Sequence, residues 1–156
     1  IKIGKTMKLN LPWSVMEDEA NGNIDSFAAT YGYKIKKEKD GTATMTMDGL
    51  AYSLLLSRVG MKTIRALGDI VDSDVYPYTV GLADYSEDFS YILMKVDTKA
   101  YKKHSKDWSY ESLAAFLGEV GLYYQTFTVE EDNKCEVVLA SHKTGKIVYN
   151  QTYTTN

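Results

Sequence analysis

The residue types best suited to nucleophilic chemistry in this 156-residue chain are its one cysteine, Cys135, and one of its two histidines, His142. A thiol beside an imidazole can form the pair that activates a nucleophilic cysteine. These two residues are seven positions apart on a segment with strand-like alternation, and an odd spacing puts them on opposite faces of a strand. We therefore expect Cys135 to be a small buried apolar residue and expect no Cys–His pair.

Two short motifs match only parts of larger signatures. Gly4-Lys5-Thr6 matches the end of a phosphate-binding loop, but a strand pattern follows it, where that loop needs a helix. Lys143-Thr144-Gly145 matches a triplet of the penicillin-interacting enzymes, but no serine of the chain has a lysine three residues later. We interpret the second motif as a hairpin turn and expect no phosphate site at the first.

Oxygen-bearing side chains at Asn21, Asn23 and Asp25 have the two-residue spacing that opens a calcium loop. Such a loop needs glycine at its sixth position and glutamate at its twelfth, where this chain has Ser26 and Gly32. Two histidines and one cysteine are too few for a typical zinc site. We expect no metal ion and no cofactor.

Acidic residues cluster at 17–19, 130–132 and 69–74, and His104 lies in a basic stretch. A pair of carboxylates facing each other can act as the general acid and base of a hydrolase, but nothing in these spacings sets two of them face to face. Solvated loops account for the acidic groups. A small hydrolase that uses one of these carboxylates or His104 is our alternative function.

Tyrosine is the prominent aromatic residue, with thirteen copies against four phenylalanines and two tryptophans. Its ring is apolar and its tip is polar, which suits both half-buried sheets and binding surfaces. We predict that any binding surface lies around the second hairpin and the loop before the last helix. The predicted binding residues are Tyr76, Tyr78, Tyr85, Tyr91 and Trp108.

The overall composition is that of a globular domain, with 44% hydrophobic and 25% charged residues and a net charge of −3. This charge gives no basic footprint for nucleic-acid binding, and no apolar run is long enough to span a membrane. No linker composition divides the chain. We predict one domain over residues 1–156, with an unknown protein or small ligand as its partner.

The Tyr-, Thr-, Asn- and Lys-rich composition with a single cysteine is compatible with a bacterial secreted or cell-envelope protein, such as a lipoprotein. The chain begins at Ile1, so we expect it to have been processed or trimmed. A cytoplasmic location is the alternative.

Alternating apolar residues predict a strand at 7–11 and a hairpin over 31–47 with a three-residue loop at 39–41. That loop opposes Ile35 with Met45 and puts Gly41 in the left-handed bulge position. A second three-residue loop, 143–145, opposes Leu139 with Tyr149 and Cys135 with Tyr153. Strands are also predicted at 75–83 and 89–96.

Three helices are predicted. The first covers 24–30, the second begins after the N-cap Asp48, and the third begins after the N-cap Ser109. The core faces are Leu50, Leu54, Met61, Ile64 and Gly68, widened by Leu55 and Val59, in the second helix, and Leu113, Phe116, Leu117 and Val120 in the third. Gly60 is predicted to divide the second helix, for which a strand at 52–56 is the alternative. Gly121 ends the third, and 122–129 is β-rich.

Segments 31–52 and 76–101 share the order strand, strand, aspartate, helix, which indicates either a duplicated ββα unit or a coincidence between two ordinary ββα units. We predict the α+β class, with an antiparallel sheet of hairpins and two or three helices packed on one face. Because no catalytic group of residues survives inspection, we expect a non-catalytic binding or interaction domain.

Overall fold

The fold is that of a computed structural model, which describes residues 4–71, 73–129 and 132–155. Backbone contacts divide the chain into two compact units. Unit 1 comprises residues 4–59 and Phe127–Val129, and unit 2 comprises Gly60–Thr126 and residues 132–155. A single domain over residues 1–156 stays a prediction.

Unit 1 contains a three-stranded antiparallel sheet in the order β1-β3-β2. Its elements, within the described residues, are β1 (Thr6–Pro12), α1 (Trp13–Glu19), α2 (Ile24–Tyr31), β2 (Lys34–Lys37), β3 (Thr42–Asp48) and the first part of α3 (Gly49–Val71). The predicted hairpin is β2–β3, and the predicted first strand pairs on the other side of β3.

The β2–β3 hairpin has the predicted register. Ile35 lies opposite Met45, and Gly41 has a φ of +86° at the bulge position. Residues with a side chain are strained at this φ, so glycine is favoured there. Because side chains alternate along a strand, this register puts the apolar residues of β3 on one face and its threonines on the other.

One face of this sheet forms part of the core of unit 1. Leu9, Leu11, Ala43 and Met45 are buried on it, and α1 and α2 lie against the strands. Side chains on the opposite face are exposed or half-buried. The sheet therefore has one covered face and one polar face.

Helix α3 begins as predicted, because the Asp48 carboxylate accepts a hydrogen bond from the Ala51 N–H at 2.8 Å. The predicted break at Gly60 is wrong, since the helix continues from Gly49 to Val71. The alternative strand at 52–56 is wrong for the same reason.

The predicted core face of α3 is wrong for its main stripe, although Leu55 and Val59, which were predicted to widen it, are fully buried. Leu50, Leu54 and Met61 are 52%, 53% and 60% exposed, and Ile64 is exposed as well. The buried side chains of α3 are Tyr52, Leu55, Val59, Thr63, Leu67 and Ile70. The exposed set and the buried set both have helical spacing, so the spacing alone could not predict which set faces the core.

Unit 2 contains a four-stranded sheet in the order β4-β5-β6-β7. Its further elements, within the described residues, are β4 (Thr79–Tyr85), β5 (Tyr91–Val96), α4 (Thr98–His104), α5 (Tyr110–Gln125), β6 (Lys134–Ser141) and β7 (Ile147–Thr154). β4–β5 and β6–β7 are antiparallel hairpins, but β5 and β6 are parallel. The sequence analysis missed this parallel pair, which arises because α4 and α5 return the chain to the same end of the sheet.

The β6–β7 hairpin has the predicted register, with Leu139 opposite Tyr149 and Cys135 opposite Tyr153. Gly145 has a φ of +74° in its loop. The register shifts between Leu139 and Ala140, so that Ala140 lies opposite Ile147 and the Ser141 N–H donates to the Lys146 carbonyl. The loop therefore has four residues, 142–145, and the predicted three-residue loop at 143–145 is wrong. Its glycine lies in the left-handed region, as the glycine of the β2–β3 loop does.

Helix α5 is capped as predicted, because the Ser109 hydroxyl accepts a hydrogen bond from the Ser112 N–H at 3.1 Å. The predicted end at Gly121 is wrong, and so is the β-rich segment at 122–129, since α5 continues to Gln125. Leu113 and Leu117 are buried as predicted, whereas Phe116 is exposed.

The core of unit 2 lies between its sheet and α5. It also includes residues of α3 and of the segment before β4. Its buried members are Leu67, Ile70, Tyr76, Tyr78, Phe89, Ile92, Met94, Val96, Leu113, Ala114, Leu117, Cys135, Val137 and Leu139.

The α+β class is confirmed, with hairpins forming most of the strand pairs. The strands form two sheets, where one had been predicted. Asp48 and Asp97 both cap helices, but α3 has 23 residues and α4 has seven, and a duplicated ββα unit is not confirmed. None of the described helices has the length and apolar character needed to cross a membrane.

Candidate functional site

The two residues that could form a nucleophilic pair are far apart. Cys135 lies near the start of β6, and His142 follows the end of that strand. At about 3.3 Å per residue, the intervening strand separates them by roughly 20 Å. Burial raises the pKa of the Cys135 thiol to about 12, so the thiol stays protonated at neutral pH. Cys135 is a core residue, as predicted.

The segment 21–25, which has calcium-like spacing, contains a side chain that hydrogen-bonds to the backbone. The Asn23 side chain accepts a hydrogen bond from the Ser26 N–H at 3.1 Å and thereby caps α2. Among the described residues, no three His, Cys, Asp or Glu side chains are grouped so that they could hold a metal ion.

The residues proposed for a hydrolase are only partly described. His104 ends the basic last turn of α4, a position where basic side chains complement the helix dipole. Asp72, Glu130 and Glu131, from the predicted acidic groups, lie outside the described residues. The hydrolase alternative stays a prediction.

The five aromatic residues predicted to bind a ligand all lie in unit 2. Tyr76 and Tyr78 are buried, whereas Tyr85 and Trp108 are 38% and 39% exposed. Tyr91 is half-buried at the start of β5. Their role in binding stays a prediction, and only Tyr85 and Trp108 offer a large exposed ring.

Tyr78 is the centre of an aromatic cluster. Its ring contacts Tyr76, Tyr101 and Tyr110 edge to face, and its hydroxyl donates to the Ser109 carbonyl at 2.9 Å. Burial raises its pKa well above the ordinary value. Tyr78 therefore fixes the start of α5 against the segment before β4.

The remaining rings extend this cluster and form a second one. Tyr110 stacks on Tyr101 with 3.5 Å between ring centroids, and within the described part of the chain its buried hydroxyl has no hydrogen-bond partner. Tyr85 stacks on Phe89, which also contacts Tyr124 edge to face. These contacts explain the high tyrosine content mainly as packing.

Unit 1 carries a polar surface that the sequence analysis did not single out. It is the outward face of the β1-β3-β2 sheet, and we call it the Lys–Thr face. Its residues are Thr6, Lys8, Asn10, Pro12, Lys34, Lys36, Thr42, Thr44, Thr46 and Asp48.

Pairing of the strands arranges the Lys–Thr face in rows. Thr46 of β3 lies opposite Lys8 of β1 and Lys34 of β2. Thr44 lies in the same way opposite Asn10 and Lys36. A central line of threonine hydroxyls is thus flanked by lysines.

An open groove of about 590 Å³ lies at the hairpin end of this face. This volume falls in the range of small-ligand sites. The groove is lined only by polar residues, which are Asn10, Lys36, Lys37, Glu38, Lys39, Asp40 and Thr44.

The two carboxylates of the groove are engaged by threonines. Thr44 donates its hydroxyl hydrogen bond to Glu38 at 2.9 Å. Thr42 donates to Asp40 through its hydroxyl at 2.6 Å and through its N–H at 3.0 Å. The hydroxyl bond is the main reason that the pKa of Asp40 lies below its ordinary value. Both carboxylates stabilise the hairpin loop.

The lysines of the groove have few acidic partners. Lys36 lies 3.9 Å from Glu38, but its side chain is 79% exposed, so this pair is weak. The Lys37 ammonium lies 4.6 Å from the centroid of the Trp13 ring. Among the described residues, no ion pair is formed by Lys8, Lys34 or Lys39.

Charge in unit 1 is segregated between the sheet and the helices. The sheet and its hairpin loop carry five lysines, at 8, 34, 36, 37 and 39, against three acidic residues, Glu38, Asp40 and Asp48. Helices α1 and α2 carry Glu17, Asp18, Glu19 and Asp25 and no lysine. The net charge of −3 for the whole chain conceals the small local excess of positive charge on the sheet. Such an excess attracts anions, and the carboxylates among the lysines lessen this attraction.

A sequence signal for this surface did exist. Lysines alternate in β2 and threonines alternate in β3, and the sequence analysis treated both only as the polar half of a hairpin. Lys8 and Asn10 join them only through the pairing of β1 with β3, which local patterns do not show.

Comparisons with known proteins give no further guidance. No protein-family model matches the chain, and neither the curated proteins nor the solved structures include a match.

Proposed function

We propose that this protein is a non-catalytic binding domain that holds its ligand on the Lys–Thr face. The observation that carries the proposal is the set of lysines around the open groove, most of which form no ion pair within the described residues. Ammonium, hydroxyl and amide groups bind and orient polar ligands. The two carboxylates that line the groove, Glu38 and Asp40, accept hydrogen bonds from Thr44 and Thr42 within the hairpin.

The proposal is tested by mapping where a polyanion binds. Dextran sulfate is titrated into the full chain, and backbone amide NMR shifts are followed. We expect the largest shift changes in β1, β2 and β3, with binding that weakens as salt increases. Changes spread evenly over both units, or no binding at low salt, would contradict the proposal.

A charge-matched pair of variants removes the effect of net charge. Lys34→Gln/Lys36→Gln removes two charges from the face, and Lys102→Gln/Lys103→Gln removes two from the exposed part of α4. We expect only the first variant to weaken binding. Equal weakening by both would indicate nonspecific attraction.

We also propose that the protein is secreted or attached to the cell envelope of a bacterium, as a lipoprotein would be. The Tyr- and Thr-rich composition and the single, buried cysteine support this location. Sequencing the uncut gene product tests it, since a signal peptide or lipobox is expected. A gene product without either would favour the cytoplasm.

A further inference from the structure

The described residues of the Lys–Thr face and its groove are polar except for Pro12. All residues that line the groove are charged or carry hydroxyl or amide groups. Stable protein–protein contacts are usually centred on buried aromatic or aliphatic side chains, which this surface does not offer among its described residues. A suitable partner is hydrophilic along its whole contact length.

Positive charge on this surface has two centres. One is the hairpin lysine cluster, Lys36, Lys37 and Lys39, which lines the groove together with Glu38 and Asp40. Lys37 lies opposite Ala43, and its ammonium lies over the Trp13 ring, so Lys36 and Lys39 are the lysines of this cluster that are open to a ligand. The other is the cross-strand lysine pair, Lys8 and Lys34, which flanks Thr46. A ligand that reaches both centres must be extended and must carry at least two anionic groups.

The distance between these centres follows from strand geometry. Lys36 lies opposite Thr44, two residues or about 7 Å along the strand from the row of Lys8, Thr46 and Lys34, and Thr42 at the loop end lies about 13 Å from Thr46. The Thr42 and Thr44 hydroxyls donate to Asp40 and Glu38, and the Asn10 amide donates to Thr42. The threonine oxygens and the Asn10 carbonyl oxygen therefore serve mainly as acceptors, to which sugar hydroxyls can donate.

Trp13, whose ring lies beside the groove residue Lys37, does not provide a stacking platform. The Trp13 ring is half-buried and has the Lys37 ammonium over it, 4.6 Å from its centroid. Single-stranded nucleic acids rely on exposed rings for base stacking. This arrangement favours a ligand without bases.

We propose that the ligand of the Lys–Thr face is a linear acidic polysaccharide with uronate carboxylates. It lies along β3, with its carboxylates on the hairpin lysine cluster and the cross-strand lysine pair and its hydroxyls on the threonines and Asn10. This inference rests on the proposed function of the face and adds the chemistry of the ligand.

Calorimetric titration of the full chain with oligogalacturonate tests the class of ligand. The comparison probes are galacturonate monomer, hexaglutamate and an oligothymidylate of similar charge. We expect the oligogalacturonate to bind about a hundredfold more tightly than its monomer, because two linked contacts increase effective affinity. It should also bind more tightly than hexaglutamate or oligothymidylate.

Variants of the two lysine centres test the extended binding mode. Lys8→Gln/Lys34→Gln and Lys36→Gln/Lys39→Gln should each weaken oligogalacturonate binding about tenfold or more, since each leaves a single contact. Binding of the monomer should change much less in Lys8→Gln/Lys34→Gln. Lys102→Gln/Lys103→Gln should bind as the unaltered protein does, and thermal unfolding checks that all variants fold.

The outcomes separate the two proposals. Tighter binding of hexaglutamate or oligothymidylate at this face would overturn the polysaccharide but leave the binding function intact. Equal affinity for monomer and oligomer would overturn the extended mode. Failure of every anionic probe to bind at low salt would overturn the proposed function as well.

Discussion

Gly121 of α5 packs closely against Cys135 of β6. A Cβ atom at position 121 would lie 2.7 Å from the Cys135 Sγ and 2.8 Å from the Phe89 carbonyl oxygen. Such distances are too short for a real side chain, and one of the neighbours is backbone, which cannot easily move. Gly121 is thus needed for packing, and helix α5 continues beyond it.

Gly121→Ala should therefore destabilise the protein by about 1–3 kcal/mol, the usual cost of overpacking a core. The matched control is Gly68→Ala in α3, where a Cβ atom would meet nothing within 4 Å. Removing an exposed helical glycine should stabilise by about 0.5–1 kcal/mol. Urea unfolding measures both free energies, and a Gly121→Ala protein as stable as the original would refute the close packing.

At the scale of elements, local chemistry sets where helices begin. Asp48, Asp97 and Ser109 each accept hydrogen bonds from the first free N–H groups of a helix. These bonds involve residues two or three positions apart, so the local sequence is enough to predict them.

Asp48→Ala should lower the free energy of unfolding by about 0.5–2 kcal/mol, because the Ala51 N–H at the start of α3 loses its acceptor. Asp48→Asn keeps an acceptor at this position and should cost much less. Chemical denaturation of the three proteins makes the comparison. Equal losses in both variants would assign the effect to charge rather than to capping.

Helix α3 shows that the local sequence pattern alone does not determine which side of a helix is buried. Leu50 and Leu54 have the spacing of a core face, yet they are exposed, while Leu55 and Val59 are fully buried. Apolar residues occupy more than one side of this helix, so its buried side depends on what the rest of the chain places against it.

At the scale of the whole molecule, burial raises the pKa of several tyrosines. It raises the pKa of Tyr110 and Tyr153 to about 12, and it raises the pKa of Tyr33 and Tyr124 as well. A folded-state pKa above the unfolded value of 10.0 means that folding favours the protonated phenol.

Stability should consequently be unaffected by these tyrosines below pH 10 and should fall as the pH rises from about 10 towards 12. Absorbance at the tyrosinate band and circular dichroism, followed together, test this. We expect exposed tyrosines to ionise near their ordinary pKa and the buried ones to ionise only as the fold is lost. Ionisation of all thirteen tyrosines near pH 10 with the fold intact would contradict it.

Distribution of charge is another property that appears only for the folded chain. The acidic helices α1 and α2 and the lysine-bearing face of the sheet alternate along the sequence of unit 1. Their separation into different surfaces produces the Lys–Thr face, although the summed charge of the chain is slightly negative.

By itself, the sequence determined the α+β class, the registers of two hairpins and the caps of α3 and α5. Each of these depends on residues close together in the chain, such as Gly41 and Gly145 in the loops. Only the tertiary structure decided that β1 pairs with β3, that β5 runs parallel to β6 and which side of α3 is buried. These outcomes depend on packing between distant segments, and the candidate site follows them, because its lysines come from strands that only tertiary pairing makes neighbours.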